Sequence, residues 1–410
     1  MRPAVGPTSS DPDSPTRTAG TDSITPRAAV PSTMTDRYEA VVVGGGIVGS
    51  SVAYHLARAG VETLLVDRRD EGRATDAGAG ILSPGTTSRD DETWVEFAVE
   101  AVDYYEELVA ALEREQDGPH GYTQCDLLTA ALNDAEVDAY EAALERVRDR
   151  QARLGTPEPG TVHELDPAAA KAAFPPLAEP KRAFRSDDAA RVDGREFEGA
   201  LRRAGRTHGL RTREASVERL SVAADTVRGV VLESGQRIDA ANVVVAGGAW
   251  SKTFASQLGV EVPVEPQRGQ IVHLDVAADT EDWPIVSAFR EQYLVPWDDG
   301  RVVAGATRET GAGYAPHTTV EGLLEVFEEV VRVAPGLADA AVREERVGLR
   351  PLTPDGLPVL GPVPGVSGAY LCTGHGPTGL QLGPYSGKLV ADAVRGDGAS
   401  ECERFGVGRF

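Results

Sequence analysis

Lysine is scarce in this 410-residue chain, which carries only Lys171, Lys181, Lys252 and Lys388. Arginine supplies most of the 41 basic residues, and 64 aspartates and glutamates oppose them, so the formal net charge is −23. A field of that sign repels nucleic acid and anionic membranes, which argues against either as a partner. The balance fits a protein kept soluble by carboxylates in the cytoplasm of a salt-loving organism; the alternative is an ordinary acidic enzyme.

Cysteine is rare, and long apolar runs are absent. Cys125, Cys372 and Cys402 lie far apart without C-x-x-C spacing, so neither a disulfide framework nor a zinc site is indicated. The histidines show no metal-ligand spacing, and we predict no metal site. No run of about 18 apolar residues exists, which argues against an integral membrane segment. These features together favour a reducing, cytoplasmic location.

The first part of the chain is rich in proline, serine and threonine and poor in large apolar residues. Residues 1–36 therefore cannot bury enough surface to offset the entropy of ordering, and we expect a disordered tail. Met34 stands directly before TDRYEAVVVGGG, so a translation start at Met34 is an alternative to Met1.

The stretch YEAVVVGGGIVGSSVAYHLARAGVETLLVD, residues 38–67, predicts a strand, a glycine turn, a helix and a second strand. Gly44, Gly46 and Gly49 fit G-x-G-x-x-G, and Asp67 closes the second strand. The glycines permit a tight turn and a close backbone approach to a pyrophosphate, while the helix N-terminus supplies free N–H groups. Asp67 would accept hydrogen bonds from a ribose diol. A dinucleotide site is predicted, against the alternative of a structural glycine turn.

The length of the chain suits two domains better than one. We assign residues 37–90, 186–258 and 344–398 to a nucleotide-binding domain and residues 91–185 and 259–343 to a substrate domain. Near the end of the chain, Pro384 predicts a kink or a late start of the last helix, because proline has no N–H.

Four motifs in order give the chain a resemblance to a known family: VVVGGGIVGSS with Asp67, ATDAGAGILSP, VVVAGGAWS, and GLRPLTPDGLPVLG with TGHGPTGLQLGP. The chain resembles the D-amino acid oxidase superfamily of FAD enzymes over residues 38–396, closest to the D-amino acid dehydrogenase and glycine oxidase branch. The resemblance implies an α/β fold, with a Rossmann-type FAD-binding domain and a second α+β substrate domain built on an antiparallel sheet.

The family pattern also implies the residues that hold the cofactor, which would be FAD rather than NAD. The first glycine turn would hold the pyrophosphate, the second motif would run along the flavin, and the loop after Gly374 would cap the flavin pyrimidine edge. Thr75 and Asp76 stand where covalently flavinylated relatives carry His or Cys, so non-covalent FAD is expected. The residues assigned to the cofactor are Gly44, Gly46, Ile47, Gly49, Asp67, Arg68, Thr75, Ala79, Gly80, Val217, Gly247, Trp250, Gly374, Gly376, Thr378, Gly379 and Leu380.

Three further residues would act on the substrate. Arg350 matches the arginine that holds an amino acid carboxylate, a task that suits a planar guanidinium fork; the alternative is a solvated or ion-paired arginine. Tyr293 matches a tyrosine facing the substrate, or is simply a half-buried strand tyrosine. His375 would donate a hydrogen bond near the flavin edge, or would only stabilise its loop. Glycine oxidases carry an arginine in the loop that here reads Gly-Pro-Thr, which favours a larger or N-substituted amino acid.

The resemblance therefore predicts an FAD-dependent dehydrogenase or oxidase that converts the Cα–N bond of a D-amino acid, or a related small amino or imino acid, to an imine. The imine would hydrolyse to a 2-oxo acid. A glycine or sarcosine oxidase, a catalytically silent flavin-binding assembly factor and an NAD-dependent dehydrogenase are the alternatives. Oxygen, a quinone or an electron carrier remain open as the electron acceptor, and the sequence does not give the oligomeric state.

Overall fold

Two β-sheets contain the strands of the computed structural model, which describes residues 36–290 and 292–410. The strands in chain order are β1 (Asp36–Val43), β2 (Thr63–Asp67), β3 (Ile81–Leu82), β4 (Tyr122–Ala131), β5 (Val162–Leu165), β6 (Arg182–Val192), β7 (Arg211–Glu214), β8 (Val217–Ala223), β9 (Thr226–Leu232), β10 (Arg237–Val245), β11 (Glu265–Asp275), β12 (Ile285–Ala288), β13 (Tyr293–Pro296), β14 (Arg301–Gly305), β15 (Glu309–Thr310), β16 (Ala341–Leu352), β17 (Val359–Pro362) and β18 (Ala369–Thr373). The helices are α1 (Ile47–Arg58), α2 (Glu92–Glu115), α3 (Val137–Leu154), α4 (Pro167–Ala173), α5 (Gly194–Thr207), α6 (Ala255–Leu258), α7 (Val320–Val333) and α8 (Gly379–Arg395).

The first sheet is a Rossmann-type sheet in the order β17-β18-β10-β1-β2-β7. The strands from β18 to β7 run parallel, β17 is antiparallel at the edge, and β8 and β9 form an antiparallel arm on β10. The valine runs Val41–Val43 and Val243–Val245 are buried on both faces, as expected of parallel strands covered on both sides. This arrangement brings the carboxyl ends of β1, β2, β10 and β18 to one edge.

Helices α1 and α8 cross closely over this sheet. A Cβ on Gly387 would stand 2.5 Å from the Cβ of Ser51, so only a residue without a side chain fits at the crossing. The hydroxyl of Ser51 donates to the carbonyl of Pro384 at 2.8 Å. The crossing therefore ties the start of the nucleotide-binding helix to the C-terminal helix.

The second sheet is largely antiparallel, in the order β15-β11-β14-β13-β12-β4-β6-β3, with β16 on β11 and β5 on β6. Successive side chains point to opposite faces. Leu128, Val272, Leu294 and Val302 pack with α7 on one face, while their neighbours Leu127, Ile271, Val295 and Val303 pack on the other. Tyr293 lies on this second face, together with Ala77 and Ala79 from the loop after β2 and Ile81 from β3.

The predicted fold class is confirmed: a Rossmann-type domain is joined to an α+β region on an antiparallel sheet. The first sheet lies within the segments assigned to nucleotide binding, apart from Asp36. The second sheet also takes β3, the end of β6 and most of β16 from those segments. The domain boundaries stay a prediction.

Two further predictions concern the N-terminal tail and membrane-spanning segments. The predicted disordered tail, residues 1–36, lies outside them except for Asp36, which begins β1. Among the described residues, no helix is long and apolar enough to span a bilayer.

Candidate active site

The loops that follow four parallel strands line a single cavity of about 810 Å³. They come after β1, β2, β10 and β18 and thus meet at the carboxyl edge of the first sheet. Ligands of open α/β sheets bind at this edge. The volume lies within the range of roughly 300–1,000 Å³ that is typical of small-molecule and cofactor sites.

The glycine turn after β1 forms one end of the cavity. Gly44 has a φ of +99°, a conformation that glycine adopts without strain. A Cβ on Gly49 would collide with the carbonyl oxygen of Gly44, so a glycine is needed for the helix to pack against the turn. The first helical N–H, that of Ile47, donates to the hydroxyl of Thr75 at 3.0 Å. The turn and the N-terminus of α1 thus have the geometry of an anion-binding site.

A buried cluster of charged side chains surrounds Asp67 at the end of β2. Arg202 lies 3.0 Å and Arg73 lies 3.8 Å from the Asp67 carboxylate, and both arginines donate to the carbonyl of Gly45. Glu198 pairs with both arginines. Burial alone would raise the pKa of Asp67, but Arg73 and Arg202 outweigh it and hold that pKa below its usual value. Asp67 is therefore ionised and can accept hydrogen bonds from a diol.

The loop between β2 and β3 lines the part of the cavity that lies between the two sheets. A Cβ on Gly80 would collide with the carbonyl of Val192, and a Cβ on Gly78 would stand 2.5 Å from the side chain of Leu380. Gly78, Ala79 and Gly80 all line the cavity. Small residues here leave a flat surface on which a planar ring system can lie.

The loop after β10 forms another wall of the cavity. Trp250 lies on a 3₁₀ turn that follows β10, with its ring 5.6 Å from the guanidinium carbon of Arg68 and 5.9 Å from the ring of Tyr314. Gly247 and Val217 line the cavity beside it. This wall is adjacent to the Asp67 end, where the nucleotide half of a dinucleotide would lie.

The loop after β18 and the first turn of α8 present buried polar atoms that have no hydrogen-bond partner among the described residues. His375 is 2% exposed, and its Nε2 has no hydrogen-bond partner among the described residues; the same holds for Nε2 of the buried Gln381. Burial lowers the pKa of His375 to about 3, so the imidazole is neutral. Both residues line the cavity. Because buried polar atoms are normally satisfied, these two indicate a ligand with hydrogen-bonding edges.

Arg350 on β16 enters the cavity from the second sheet. Its Nη1 donates to the Thr307 carbonyl at 2.8 Å and to Oε1 of Gln267 at 3.2 Å. A Cβ on Gly269 would stand 2.5 Å from the guanidinium carbon, so that glycine makes room for the arginine. Burial lowers the pKa of Arg350. Among the described residues, no carboxylate forms an ion pair with this guanidinium, which favours the anion-binding prediction over the ion-paired alternative.

Tyr293, the first residue of β13, faces the same space. Its hydroxyl lies 3.2 Å from where a Cβ on Gly305 would stand, so the glycine leaves room for that hydroxyl. Burial raises the pKa of Tyr293, although Arg350 and Arg308 oppose that rise. The hydroxyl therefore remains protonated and can donate.

All the site residues predicted from the sequence, except Gly49 and Gly374, line this one cavity. Gly49 lies behind the turn, and Gly374, with a φ of +79°, sets the bend after β18. The roles assigned to these residues stay predictions. Among the described residues, no group of histidine, cysteine and acidic side chains could hold a metal ion.

The sequence did not predict Arg73, Glu198, Arg202, Arg308 or Gln381. Glu198 and Arg202 stand four residues apart on one face of α5, the only local signal for this pair. Arg73, Arg308 and Gln381 line the cavity. Unpartnered polar atoms, the glycine cradle and the helix N-terminus beside it together fit a large, polar, ring-containing cofactor such as a flavin dinucleotide.

A family model described as "FAD dependent oxidoreductase" (DAO) matches residues 39–393. The chain is 38% identical to an uncharacterised oxidoreductase, YurR, of Bacillus subtilis, over 87% of this chain and 94% of that protein. It is 32% identical to a glycine oxidase of Pseudomonas aeruginosa, again over 87% and 94%. The crystal structure of an iminodiacetate oxidase from Chelativorans sp. BNC1 superposes with a TM-score of 0.85 at 36% identity, over 90% of this chain and 98% of that one.

Proposed function

Because the chain belongs to the FAD-dependent oxidoreductase (DAO) family, we propose that it oxidises the Cα–N bond of a D-amino acid, or a related small amino or imino acid, to an imine that hydrolyses to a 2-oxo acid. The resemblance seen in the sequence and the expected FAD cofactor are confirmed by this membership. Bound FAD supplies the acceptor for the hydride that leaves Cα. Relatives named glycine oxidase and iminodiacetate oxidase support an amino or imino acid substrate.

The observation that carries this proposal is the environment of Arg350. Its guanidinium donates to the neutral oxygens of Thr307 and Gln267, and it lines the same cavity as the glycine turn. A half-buried guanidinium whose hydrogen-bond partners are neutral can still bind and stabilise an anion. A carboxylate suits it, because both carboxylate oxygens can accept from the planar guanidinium. A silent assembly factor would have no use for such a fork.

The remaining residues assist in ways that follow from their charge. Tyr293 keeps its proton and can donate to the bound carboxylate. The cationic Arg350 disfavours the ammonium form of a nearby substrate amine, because like charges lower the pKa of the amine. The reactive neutral amine is then favoured without a strong protein base. The role left to the chain is then to hold Cα in position for the reaction.

The loop at Gly376, Pro377 and Thr378 bears on substrate size. It contains no arginine, which favours a larger or N-substituted amino acid over glycine. Because one relative is a glycine oxidase, the second candidate function is that of a glycine or sarcosine oxidase. Thr75 and Asp76 in the first flavin loop support non-covalent FAD; acid denaturation should then release all the flavin into the supernatant, and colour retained in the precipitate would contradict this.

We also propose a cytoplasmic location. Cys125, Cys372 and Cys402 are free, and the latter two are buried, an arrangement that a reducing compartment preserves. Subcellular fractionation of the source cells would test the location, and recovery outside the cytoplasm would refute it.

Anaerobic mixing of the purified yellow holoenzyme with a panel of D-amino acids, L-amino acids, glycine and sarcosine tests the function. We expect bleaching of the flavin absorbance near about 450 nm with at least one D-amino acid, and release of the matching 2-oxo acid after aeration or addition of an acceptor. Bleaching by glycine and sarcosine alone would support the second candidate. A panel that leaves the flavin oxidised throughout would overturn the proposal.

A further inference from the structure

Arg350 is bound by the residue directly opposite it on the neighbouring strand. Gln267 on β11 pairs with Arg350 on β16, and opposite residues of an antiparallel pair point to the same face of the sheet. The Oε1 atom of Gln267 accepts from Nη1 of Arg350 at 3.2 Å. Gln267 is 9% exposed and does not line the cavity. It therefore contacts the guanidinium but would not touch a bound substrate.

Thr310 determines which end of the Gln267 amide faces the arginine. Thr310 on β15 is the partner of Gln267 on its other side, and its hydroxyl accepts from Nε2 of Gln267 at 2.9 Å. A glutamine amide has one acceptor oxygen and one donor nitrogen. With the nitrogen bound to Thr310, the oxygen is turned towards Arg350. The guanidinium is thus held by a neutral acceptor whose own orientation is fixed.

The bonds to Nη1 decide which edge of the guanidinium is left for a ligand. Nη1 has two hydrogens, and its two acceptors are Oε1 of Gln267 and the Thr307 carbonyl at 2.8 Å. Nε and Nη2 of Arg350 have no hydrogen-bond partner among the described residues, and neither is a buried unpartnered atom. Since Arg350 lines the cavity, both atoms are accessible from it. The edge formed by Nε and Nη2 can therefore donate to both oxygens of one carboxylate.

The neutrality of residue 267 matters as much as its position. Glu309 is the acidic residue that acts on Arg350 electrostatically. Its carboxylate accepts hydrogen bonds from Arg268 and Gln270 instead. A carboxylate in place of the Gln267 amide would have the same reach, but it would form an ion pair with the guanidinium and compete with a substrate anion. An amide holds the arginine and leaves its charge for the ligand.

We propose that Gln267 is a positioning residue, which fixes the guanidinium of Arg350 while leaving its charge and its Nε–Nη2 edge to the substrate carboxylate. This inference rests on the proposed function, in which Arg350 binds the carboxylate next to the reacting carbon. It has a distinctive consequence: a carboxylate at position 267 should hold Arg350 more strongly and yet weaken substrate binding. Stability and substrate affinity should then change in opposite directions.

Two variants separate the hydrogen bond from the charge. Gln267→Glu keeps an acceptor at the same length, and Gln267→Met keeps the length without that acceptor. In stopped-flow flavin reduction, Gln267→Glu should raise the apparent Kd for the best amino acid by roughly 10- to 100-fold, the factor for a lost charge-assisted hydrogen bond. The limiting reduction rate and the FAD content should stay near wild-type, and Tm should not fall. Gln267→Met should raise the apparent Kd by only about 2- to 10-fold and should lower Tm.

Gln124→Glu is the control for the added negative charge. Gln124 is exposed on β4 and does not line the cavity, so the apparent Kd should stay at the wild-type value. A purely structural role for Gln267 predicts the reverse order, because Gln267→Glu keeps the bond to Arg350 and Gln267→Met loses it. Amino acid binding that is weaker in Gln267→Met than in Gln267→Glu would therefore overturn the inference.

An unreactive anion tests the inference apart from the oxidation. Methoxyacetate copies sarcosine with oxygen in place of nitrogen, so its binding to the holoenzyme can be followed by flavin absorbance without turnover. Its Kd should rise in both Arg350→Ala and Gln267→Glu. If Arg350→Ala binds methoxyacetate as tightly as the wild type, the proposed carboxylate clamp fails, and this inference fails with it. If Arg350→Ala loses the affinity and Gln267→Glu keeps it, the clamp stands and the role of Gln267 is refuted.

Discussion

The hydroxyl of Tyr105 on α2 donates a hydrogen bond to the main-chain carbonyl of Leu380 in the first turn of α8. This carbonyl would ordinarily accept from the N–H four residues later, but that residue is Pro384, which has none. Tyr105 is fully buried and replaces the missing donor. The bond thus secures the helical turn that carries Leu380 and Gln381 to the cavity.

Tyr105→Phe should lower the free energy of unfolding by about 1–3 kcal/mol, because it leaves a buried carbonyl without a donor. It should also weaken FAD binding, since the affected turn lines the cavity. Urea denaturation and flavin titration measure the two effects. Tyr370→Phe is the control, because the Tyr370 hydroxyl has no hydrogen-bond partner among the described residues, and its change should be small. Equal effects in both variants would show that Tyr105 contributes only packing.

Asp67→Asn should raise the Kd for FAD by roughly 10- to 100-fold, because a carboxylate accepts from a ribose diol more strongly than an amide does. The same change weakens the pairing with Arg202, so the stability of the apoprotein must be measured alongside. Arg213→Gln, which breaks a surface pair with Asp36 at the far end of β1, is the control. Should the apoprotein lose stability while the Kd stays at the wild-type value, Asp67 serves the arginine cluster and not the cofactor.

His375→Gln should flatten the acid side of the stability profile. Burial lowers the folded pKa of His375 to about 3, against an ordinary value of about 6.5, so only the unfolded chain takes up a proton between these values. The stability due to the neutral histidine is therefore complete above pH 6.5 and is lost as the pH falls towards 3. Between pH 6 and 4, wild-type unfolding free energy should fall more steeply than that of the variant, by up to about 1.4 kcal/mol per pH unit. Parallel profiles would contradict the low pKa.

Salt should stabilise the protein. Isolated surface ion pairs contribute only about 0–1 kcal/mol each, so repulsion among the excess carboxylates should dominate the salt response. The Debye length falls from roughly 30 Å at 0.01 M to about 3 Å at 1 M salt, which screens that repulsion. The Tm should therefore rise markedly between dilute buffer and molar KCl, and not in sucrose of equal osmolality. A flat KCl profile would remove the inference of a salt-loving source.

Local pattern was enough to predict the nucleotide end of the site. The glycine turn, α1, Asp67 and the loops after β10 and β18 lie within short motifs, and the topology of a parallel sheet brings their ends together. Arg350 also lies in a motif, although its neutral partners, Gln267 on β11 and Thr307 just after β14, are distant from it in sequence.

Long-range contacts account for what the sequence did not predict. The Asp67 cluster joins β2, the following loop and α5, and the four-residue spacing of Glu198 and Arg202 is its only local signal. Of the two alternatives expected at Pro384, the late start of the last helix was wrong, because α8 begins at Gly379 and includes Pro384, while the kink stays a prediction. Tyr105, 275 residues earlier, supplies the hydrogen bond that makes this possible.

Arg350→Ala tests the residue on which the function rests. It should leave the flavin site intact and remove a charge-assisted bidentate contact worth on the order of 2–5 kcal/mol when desolvated. Since about 1.4 kcal/mol corresponds to a tenfold change, reductive kcat/KM for the best amino acid should fall by roughly 30- to 1,000-fold or more. Arg350→Lys should recover only part, because an ammonium does not present a planar fork. Stopped-flow flavin reduction measures both variants.

Two measurements show why Arg350→Ala loses activity: the flavin content of the variant, and the activity of a control variant at Arg343 on the same strand. Arg343→Ala removes an exposed charge from the same strand and should keep kcat/KM near the wild-type value. If Arg350→Ala keeps its FAD and loses kcat/KM, the guanidinium acts on the substrate, as its neutral partners in the cavity imply. If it keeps near-normal kcat/KM, the carboxylate is bound elsewhere. If it loses FAD, Arg350 supports the cofactor site through its contact with the Thr307 carbonyl, and the substrate clamp must be sought among the other arginines that line the cavity.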